Sequence, residues 1–273
     1  MNVSVVIAFY NNYPLLELIL RSLSAQFDGS FDVIIADDGS RQEVVDRINV
    51  SRHRYPFTVS HVWQDDLGFR KNRILNRAVL GSSAEYLVFI DGDCVPQRHF
   101  IADHTEQAKR GTCLCGRRVD FRLEDMHSLD LTRPETVFRD NIWRFILLAP
   151  RRRAKNVEKG LRIRGGIVEK LTNRKSRGIV GCNFSLFKDD LVSINGFDER
   201  YEGPGFGEDS DIEFRLRRRG VEMRSLIFQA NLVHFDAGSL PRSRENHELL
   251  AEVIRQGTPW TRFGMNKTEE AGT

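Results

Sequence analysis

The chain has 273 residues, enough for one large domain or two intimate lobes around a sizeable core. Its 40% hydrophobic and 29% charged residues are those of a soluble globular protein, and a net charge of +3 is too small to argue for nucleic acid as a partner. The four cysteines (Cys94, Cys113, Cys115, Cys182) form no Cys-x-x-Cys pair, which argues against a zinc ribbon or disulfide framework, and no apolar run nears the ~18 residues that span a bilayer.

The start, Met1-Asn2-Val3-Ser4, enters a strand at once and lacks the basic region and cleavage site of a signal peptide. With free thiols, this predicts a cytoplasmic location. Residues 3–10 are β-branched and apolar and read as a first strand. Asn11-Asn12-Tyr13-Pro14 breaks it and opens a helix whose Leu15, Leu18, Ile19 and Leu23 recur at helical spacing. Residues 31–36 form a second strand ending in Asp37-Asp38-Gly39-Ser40, and a second helix turns Val44, Val45 and Ile48 inward. Residues 57–63 alternate as a third strand, and a third helix covers about 71–80. Residues 86–90 are an unbroken apolar run, a strand buried on both faces, leading straight into Asp91-Gly92-Asp93. Strand–helix alternation of this kind predicts an α/β fold with a doubly wound, mostly parallel sheet.

Right-handed crossovers then bring the loops after the four strands to one edge, where such sheets bind ligands. That edge gathers Tyr10-Asn11, Asp37-Asp38, Gln64-Asp65 with Arg70, and Asp91-Gly92-Asp93. One carboxylate there can accept from the imide of uracil and another can bind ribose hydroxyls. Neither a Gly-x-Gly-x-x-Gly nor a Gly-x-x-x-x-Gly-Lys-Ser/Thr motif is present, so phosphates would need a hard divalent cation, Mn2+ or Mg2+, on oxygen ligands. The bland alternatives are an Asp-Gly turn at 91–92 and a turn with Ser40 as helix cap.

Val5-Val6-Ile7-Ala8-Phe9-Tyr10-Asn11, Ile35-Ala36-Asp37-Asp38-Gly39-Ser40 and Ile90-Asp91-Gly92-Asp93 resemble the signature of family 2 glycosyltransferases of the GT-A fold. The resemblance implies that residues 1–100 bind a nucleotide sugar, usually a uridine diphosphate sugar. It implies Ala8, Phe9 and Tyr10 against the base, uracil recognition by Asp37 or Asp38, ribose contact by Asp91 beside Gly92, and metal ligation by Asp93. Phe9 stands where many relatives have a small polar residue, leaving its backbone contact to the base. Gln64-Asp65-Asp66-Leu67-Gly68-Phe69-Arg70 with Arg73 resembles a loop and helix of the chondroitin polymerase-like branch, where the arginine or its neighbour faces the nucleotide.

Residues 99–109 read as a helix and 112–116 as a short strand. The apolar patch 142–148 reads as a core helix, with a membrane-facing helix as the alternative. Residues 151–177 hold eleven Lys or Arg against Glu158 and Glu169. This run is a solvated loop, an active-site loop or a contact with anionic lipid, which would put 142–177 at the inner face of the cell membrane. No aromatic residues interleave it, so nucleic acid is the weakest partner.

Residues 178–187 read as a strand, Asn195-Gly196 as a turn, and 201–207 as a glycine-rich loop able to move. A helix follows from about 209 to 219, closed by Gly220. Glu208 and Asp209 at its start would offset the helix dipole, and that end would keep Asp209 ionised. Cys182-Asn183-Phe184-Ser185, Asn195-Gly196-Phe197-Asp198-Glu199 and Gly205-Phe206-Gly207-Glu208-Asp209-Ser210-Asp211 resemble the carboxy-terminal module of β-1,4-galactosyltransferases. The resemblance implies Asp209 as catalytic base, Glu208, Phe206 and Asp211 on the acceptor side, and His234 completing the metal shell, with His247 the weaker rival. Phe206 replaces a tryptophan common in that module. Residues 101–240 would then form the smaller acceptor and catalytic lobe, with the module at 178–236, and 241–273 a helical tail.

Together these readings predict an inverting, metal-dependent glycosyltransferase. It would move a hexose or N-acetylhexosamine from a UDP-sugar to a saccharide or lipid-linked saccharide of a bacterial surface polymer. The rivals are a nucleotidyltransferase, which would need a glycine-rich basic loop after the first strand, and a non-catalytic carbohydrate- or membrane-binding protein on the same scaffold.

Overall fold

A computed structural model of the chain describes residues 1–26, 31–165, 177–205, 207–238 and 243–267. The strands are β1 (Val3–Phe9), β2 (Phe31–Asp37), β3 (Val59–Trp63), β4 (Tyr86–Asp91), β5 (Cys94–Pro96), β6 (Thr112–Cys115), β7 (Arg118–Arg122), β8 (Ala154–Lys155), β9 (Asn183–Phe187), β10 (Glu222–Ser225) and β11 (Leu232–Asp236). The helices are α1 (Tyr13–Ser24), α2 (Gln42–Ser51), α3 (Lys71–Gly81), α4 (Phe100–Thr105), α5 (Val137–Asp140), α6 (Ile142–Leu148), α7 (Lys188–Val192), α8 (Glu208–Arg218) and α9 (Arg244–Gln256).

The large sheet runs β10-β6-β9-β4-β1-β2-β3, and a small one runs β5-β11-β7-β8. In the large sheet only β9 opposes its neighbours, pairing antiparallel with β4 and β6. β1, β2 and β4 alternate their side chains between two apolar layers. Val5, Ile7, Val33, Ile35, Tyr86, Val88 and Ile90 enter one layer, and Val6, Ile34, Leu87 and Phe89 the other. Phe89 stacks on Phe184 across the β4–β9 pair at 4.7 Å between ring centroids. Each such side chain contributes about 1.5–3 kcal/mol on burial, so register is strongly set and the strand ends are held in fixed relation. α1 starts as its residues dictate: the Asn12 side chain accepts from the Leu15 N–H at 3.3 Å, with Pro14 in the first turn.

Several elements depart from the sequence pattern. The helix expected over 99–109 is only Phe100–Thr105, and the strand expected over 178–187 is only Asn183–Phe187. Residues 178–182 are drawn instead to α8, where the N–H groups of Ile179 and Gly181 donate to Glu213 and Asp209. Val44 and Val45 are half-buried, leaving Ile48 as the buried anchor of α2. α6 is not the buried core helix its composition suggests: Phe145 is fully buried, but Trp143, Ile146 and Leu147 are exposed.

Candidate active site

The carboxyl ends of β1, β2 and β4 are in register, Phe9 beside Asp37 and Ala8 beside Asp91. The chain is tied where it leaves them. Gly92 N–H donates to the Ala8 carbonyl at 2.7 Å, and Asp38 N–H donates to the Phe9 carbonyl at 2.9 Å. A Cβ at Gly92 would stand 3.0 Å from that Ala8 oxygen, which explains the glycine between the two aspartates. Tyr10 is exposed, its hydroxyl donating to Asp66.

The two aspartates after β2 do different work. Asp37 is enclosed, accepting from Ser40 N–H at 2.8 Å and lying 2.9 Å from His61 Nε2. That is the expected turn, but Ser40 does not cap the helix: its hydroxyl accepts from the Asn11 N–H at 2.7 Å, and Arg41 stands at the cap position with no side-chain cap bond. Asp38 accepts from Gln64 Nε2 at 2.6 Å and Arg70 N–H at 2.8 Å, and burial pushes its carboxyl up despite both donors. Gln64 keeps a buried Oε1 with no partner among the described residues. Asp65 is exposed and its carbonyl accepts from Arg70, while Arg73 is half-buried on α3.

Beyond β4, Asp93 meets the small sheet. His234, mid-strand in β11, has Nε2 3.3 Å from Asp93 Oδ2 and Nδ1 2.9 Å from Asp120 Oδ1. Burial opposes charge on the ring, but the carboxylates on either side outweigh it and push its pKa up to about 10. Asp120, on β7, also takes Arg118 Nε at 2.8 Å and Asn156 Nδ2 at 2.8 Å.

The other acidic pair comes from α8. Gly181 N–H donates to Asp209 Oδ2 at 2.8 Å, and Glu208 Oε2 is buried without a partner among the described residues. Lys71, the first residue of α3, links the two acidic sets. Its Nζ lies 2.6 Å from Asp91 Oδ1, and Asp91, Asp209 and Glu208 together raise its pKa against the effect of burial. Burial, then Asp209, push Glu208 up to about 7. Burial also raises Asp209, with Asp91 adding to it and Lys71 and the Gly181 N–H opposing. The helix end thus does not hold Asp209 as an ordinary ionised surface carboxylate; desolvation wins and makes it a stronger base.

α3 clamps the second module as well. Asn72 Nδ2 donates to the Asp198 carbonyl and Asn76 Nδ2 to the Phe197 carbonyl. Asp211, by contrast, is turned away from this cleft. It is fully buried and paired with Arg215 at 2.9 Å, and Arg215 also donates to the Ile194 and Gly196 carbonyls. Phe206 lies outside the described residues.

Residues 4–177 match the glycosyl transferase family 2. The chain belongs to that family. Residues 167–236 of this family 2 protein match the N-terminal domain of galactosyltransferase. Validoxylamine A glucosyltransferase of Streptomyces hygroscopicus subsp. jinggangensis is 30% identical over 233 residues, covering 81% of this chain and 52% of its own. The chain thus spans about half the length of the curated relatives it matches. Among solved structures, GalNAc-T7 with UDP, GalNAc and Mn2+ superposes at a TM-score of 0.61 with 11% identity, over 93% of this chain and 48% of that one. The mannosyltransferase PcManGT from Pyrobaculum calidifontis with GDP-Man and Mn2+ does so at 0.55 with 17% identity, over 94% and 62%. These likenesses establish the GT-A fold.

A divalent cation suits the family 2 site chemically. An octahedral ion with bonds of about 2.0–2.1 Å holds neighbouring ligands about 3 Å apart, close to the 3.3 Å between Asp93 and His234. Asp120 on the far nitrogen stands where an outer-shell carboxylate would orient a ligating histidine. Among the described residues no group of three His, Cys, Asp or Glu side chains is placed to hold a metal ion, so donor oxygens and water would fill the other positions. Asp120 and Lys71 are the residues sequence reasoning missed. Asp120 carries no motif. Lys71 follows Arg70 directly, and a lysine opening a helix with no acidic residue three or four positions on, at the end where the dipole disfavours cations, is the available signal.

Proposed function

We propose that the protein is an inverting, metal-dependent glycosyltransferase that moves a hexose or N-acetylhexosamine from a UDP-sugar to a saccharide of a bacterial surface polymer. The observation that carries this is the pairing of Lys71 with Asp91 at 2.6 Å within the field of Glu208 and Asp209, with Asp93, two residues past β4, beside His234 of β11. The Mn2+ complexes of structural neighbours with UDP or GDP-Man support the metal and the nucleotide, and the glucosyltransferase relative supports a hexose.

In this reading Asp38 and Gln64 meet the uracil, with Gln64 Oε1 free to accept its imide N–H, and Asp91 meets the ribose. Asp93 and His234 would hold Mn2+ or Mg2+, which would supply charge neutralisation for the departing diphosphate. Asp209 takes the proton from the acceptor hydroxyl as that oxygen bonds to the anomeric carbon and the bond from that carbon to the phosphate oxygen breaks. Glu208, held near neutrality, can donate or accept a hydrogen bond to the acceptor sugar. Lys71 offsets the repulsion that four carboxylates and an incoming diphosphate would otherwise create. The test is release of UDP from a panel of UDP-hexoses and UDP-N-acetylhexosamines, with Mn2+ and after chelation. Metal-dependent turnover of one donor is expected; no turnover of any donor with Mn2+ present would overturn the proposal.

A further inference from the structure

α6 shows solvent its apolar side. Trp143, Ile146 and Leu147 stand at i, i+3 and i+4 and so share one face, with exposures of 74%, 46% and 66%. The helix cannot roll to hide them, because Phe145 on its other side is fully buried against Phe121 and Phe138, with ring centroids at 4.8 and 5.1 Å. Single exposed apolar residues are ordinary, but three large ones side by side mark a contact surface.

The surroundings of this face are basic. Residues 133–159 hold eight Lys or Arg against three acids, a net of +5 in a chain that totals +3. One of those acids, Asp140, is already taken by Arg133 and Arg139. Arg144, Arg151, Arg152 and Lys155 are exposed, and no carboxylate pairs with them among the described residues. A second copy of the same face would bring like charges together, which opposes self-association there. An acidic surface with an apolar interior satisfies both features at once.

We infer that α6 and the turn after it form a docking surface for an anionic lipid bilayer. Trp143, Ile146 and Leu147 seat at the boundary of headgroups and acyl chains, and the arginines meet the lipid phosphates. The contact is interfacial: among the described residues no helix is long and apolar enough to cross a membrane. The surface is coupled to the cleft through the next few residues. β8 pairs with β7, and Asn156 donates to Asp120, the carboxylate that orients His234. A bilayer bound here would bring a lipid-carried acceptor close to the site. That last step rests on the transferase reading, whereas the lipid contact does not.

Co-sedimentation separates the two. The probes are vesicles of phosphatidylcholine alone and of phosphatidylcholine with phosphatidylglycerol in equal parts, at low and high salt. The protein is expected to sediment with the anionic vesicles alone, and less at high salt. Each basic residue near an anionic surface strengthens binding roughly fivefold, so Arg151→Glu with Arg152→Glu should weaken it about 25-fold or more. Trp143→Ser with Leu147→Ser should abolish it. Both double variants change exposed side chains and should keep UDP release with a soluble acceptor. Failure of UDP release in the parent leaves the sedimentation result standing, so the two readings fail separately. Equal binding to neutral vesicles, or none to either, overturns the inference. So does a concentration-dependent dimer that Trp143→Ser with Leu147→Ser dissolves.

Discussion

Gly181→Ala places a methyl group where the Asp209 carboxylate stands. A Cβ on Gly181 would lie 2.2 Å from Asp209 Oδ1 and 2.8 Å from both Cγ and Oδ2, whereas ordinary contact begins near 3.4 Å. The carboxylate must therefore retreat by about 1.2 Å, the difference between 3.4 and 2.2 Å. Its hydrogen bond from the Gly181 N–H, now 2.8 Å, is lost or bent in the process. The three nearest atoms to that methyl all belong to Asp209, and Gly181 has no left-handed φ that alanine would strain. The perturbation is thus aimed at one side chain and should leave the thermal midpoint close to the parent's. A reacting group displaced by about 1 Å costs on the order of 10²-fold, or about 2.7 kcal/mol in the barrier. Single-turnover transfer should slow by that factor while donor KM holds, because the UDP-binding side is untouched. Adding Gly181→Ala to Asp209→Asn should cost nothing more, since both act through one group. Parental turnover in Gly181→Ala would refute the assignment of Asp209 as the base.

Lys71→Met should shift the acidic limb of kcat/KM to higher pH. As the proposed base Asp209 would work ionised, so activity should fall as pH drops through its raised pKa; Lys71 holds both Asp209 and Glu208 down, and its loss lets them rise further. Lys71→Arg should keep the limb in place, and an unmoved limb in Lys71→Met would contradict this role. Asp120→Asn should weaken the Mn2+ dependence of turnover about 10–100-fold, read by metal titration, while UDP binding without metal stays as it was. Asp211→Ala should lower urea stability by about 3–5 kcal/mol, because it strands buried Arg215, and leave the folded protein active; weaker acceptor binding at full stability would return Asp211 to the acceptor site.

What the sequence made legible was local. The apolar run before Asp91-Gly92-Asp93 is a buried strand because both its faces meet apolar layers, and the ordered acids at 208 and 209 stand at a helix start as their spacing suggests. What it hid depends on partners distant in the chain. β9 enters the sheet antiparallel after a long excursion, a pairing no period in residues 178–187 encodes. Asp120 matters only because β7 lies beside β11, and Lys71 only because α3 begins over the end of β4. Asp211 and Asp37 look like site carboxylates in a motif, yet Arg215 and the Ser40 turn hold them inside. The apolar stretch 142–148 has the composition of a core helix, but only Phe145 is fully buried, with Ile142 and Leu148 half-buried, because α6 lies on the surface of the small sheet.

Calorimetric titration of UDP with Mn2+ beside single-turnover transfer reads the proposed division of labour between the two acidic sets. Asp209→Asn should bind UDP with Mn2+ as the parent does and lose transfer by about 10²–10⁴-fold. Asp93→Asn should lose the metal-dependent part of UDP binding. Metal-dependent UDP binding undiminished in Asp93→Asn, or transfer at the parental rate in Asp209→Asn, would contradict it.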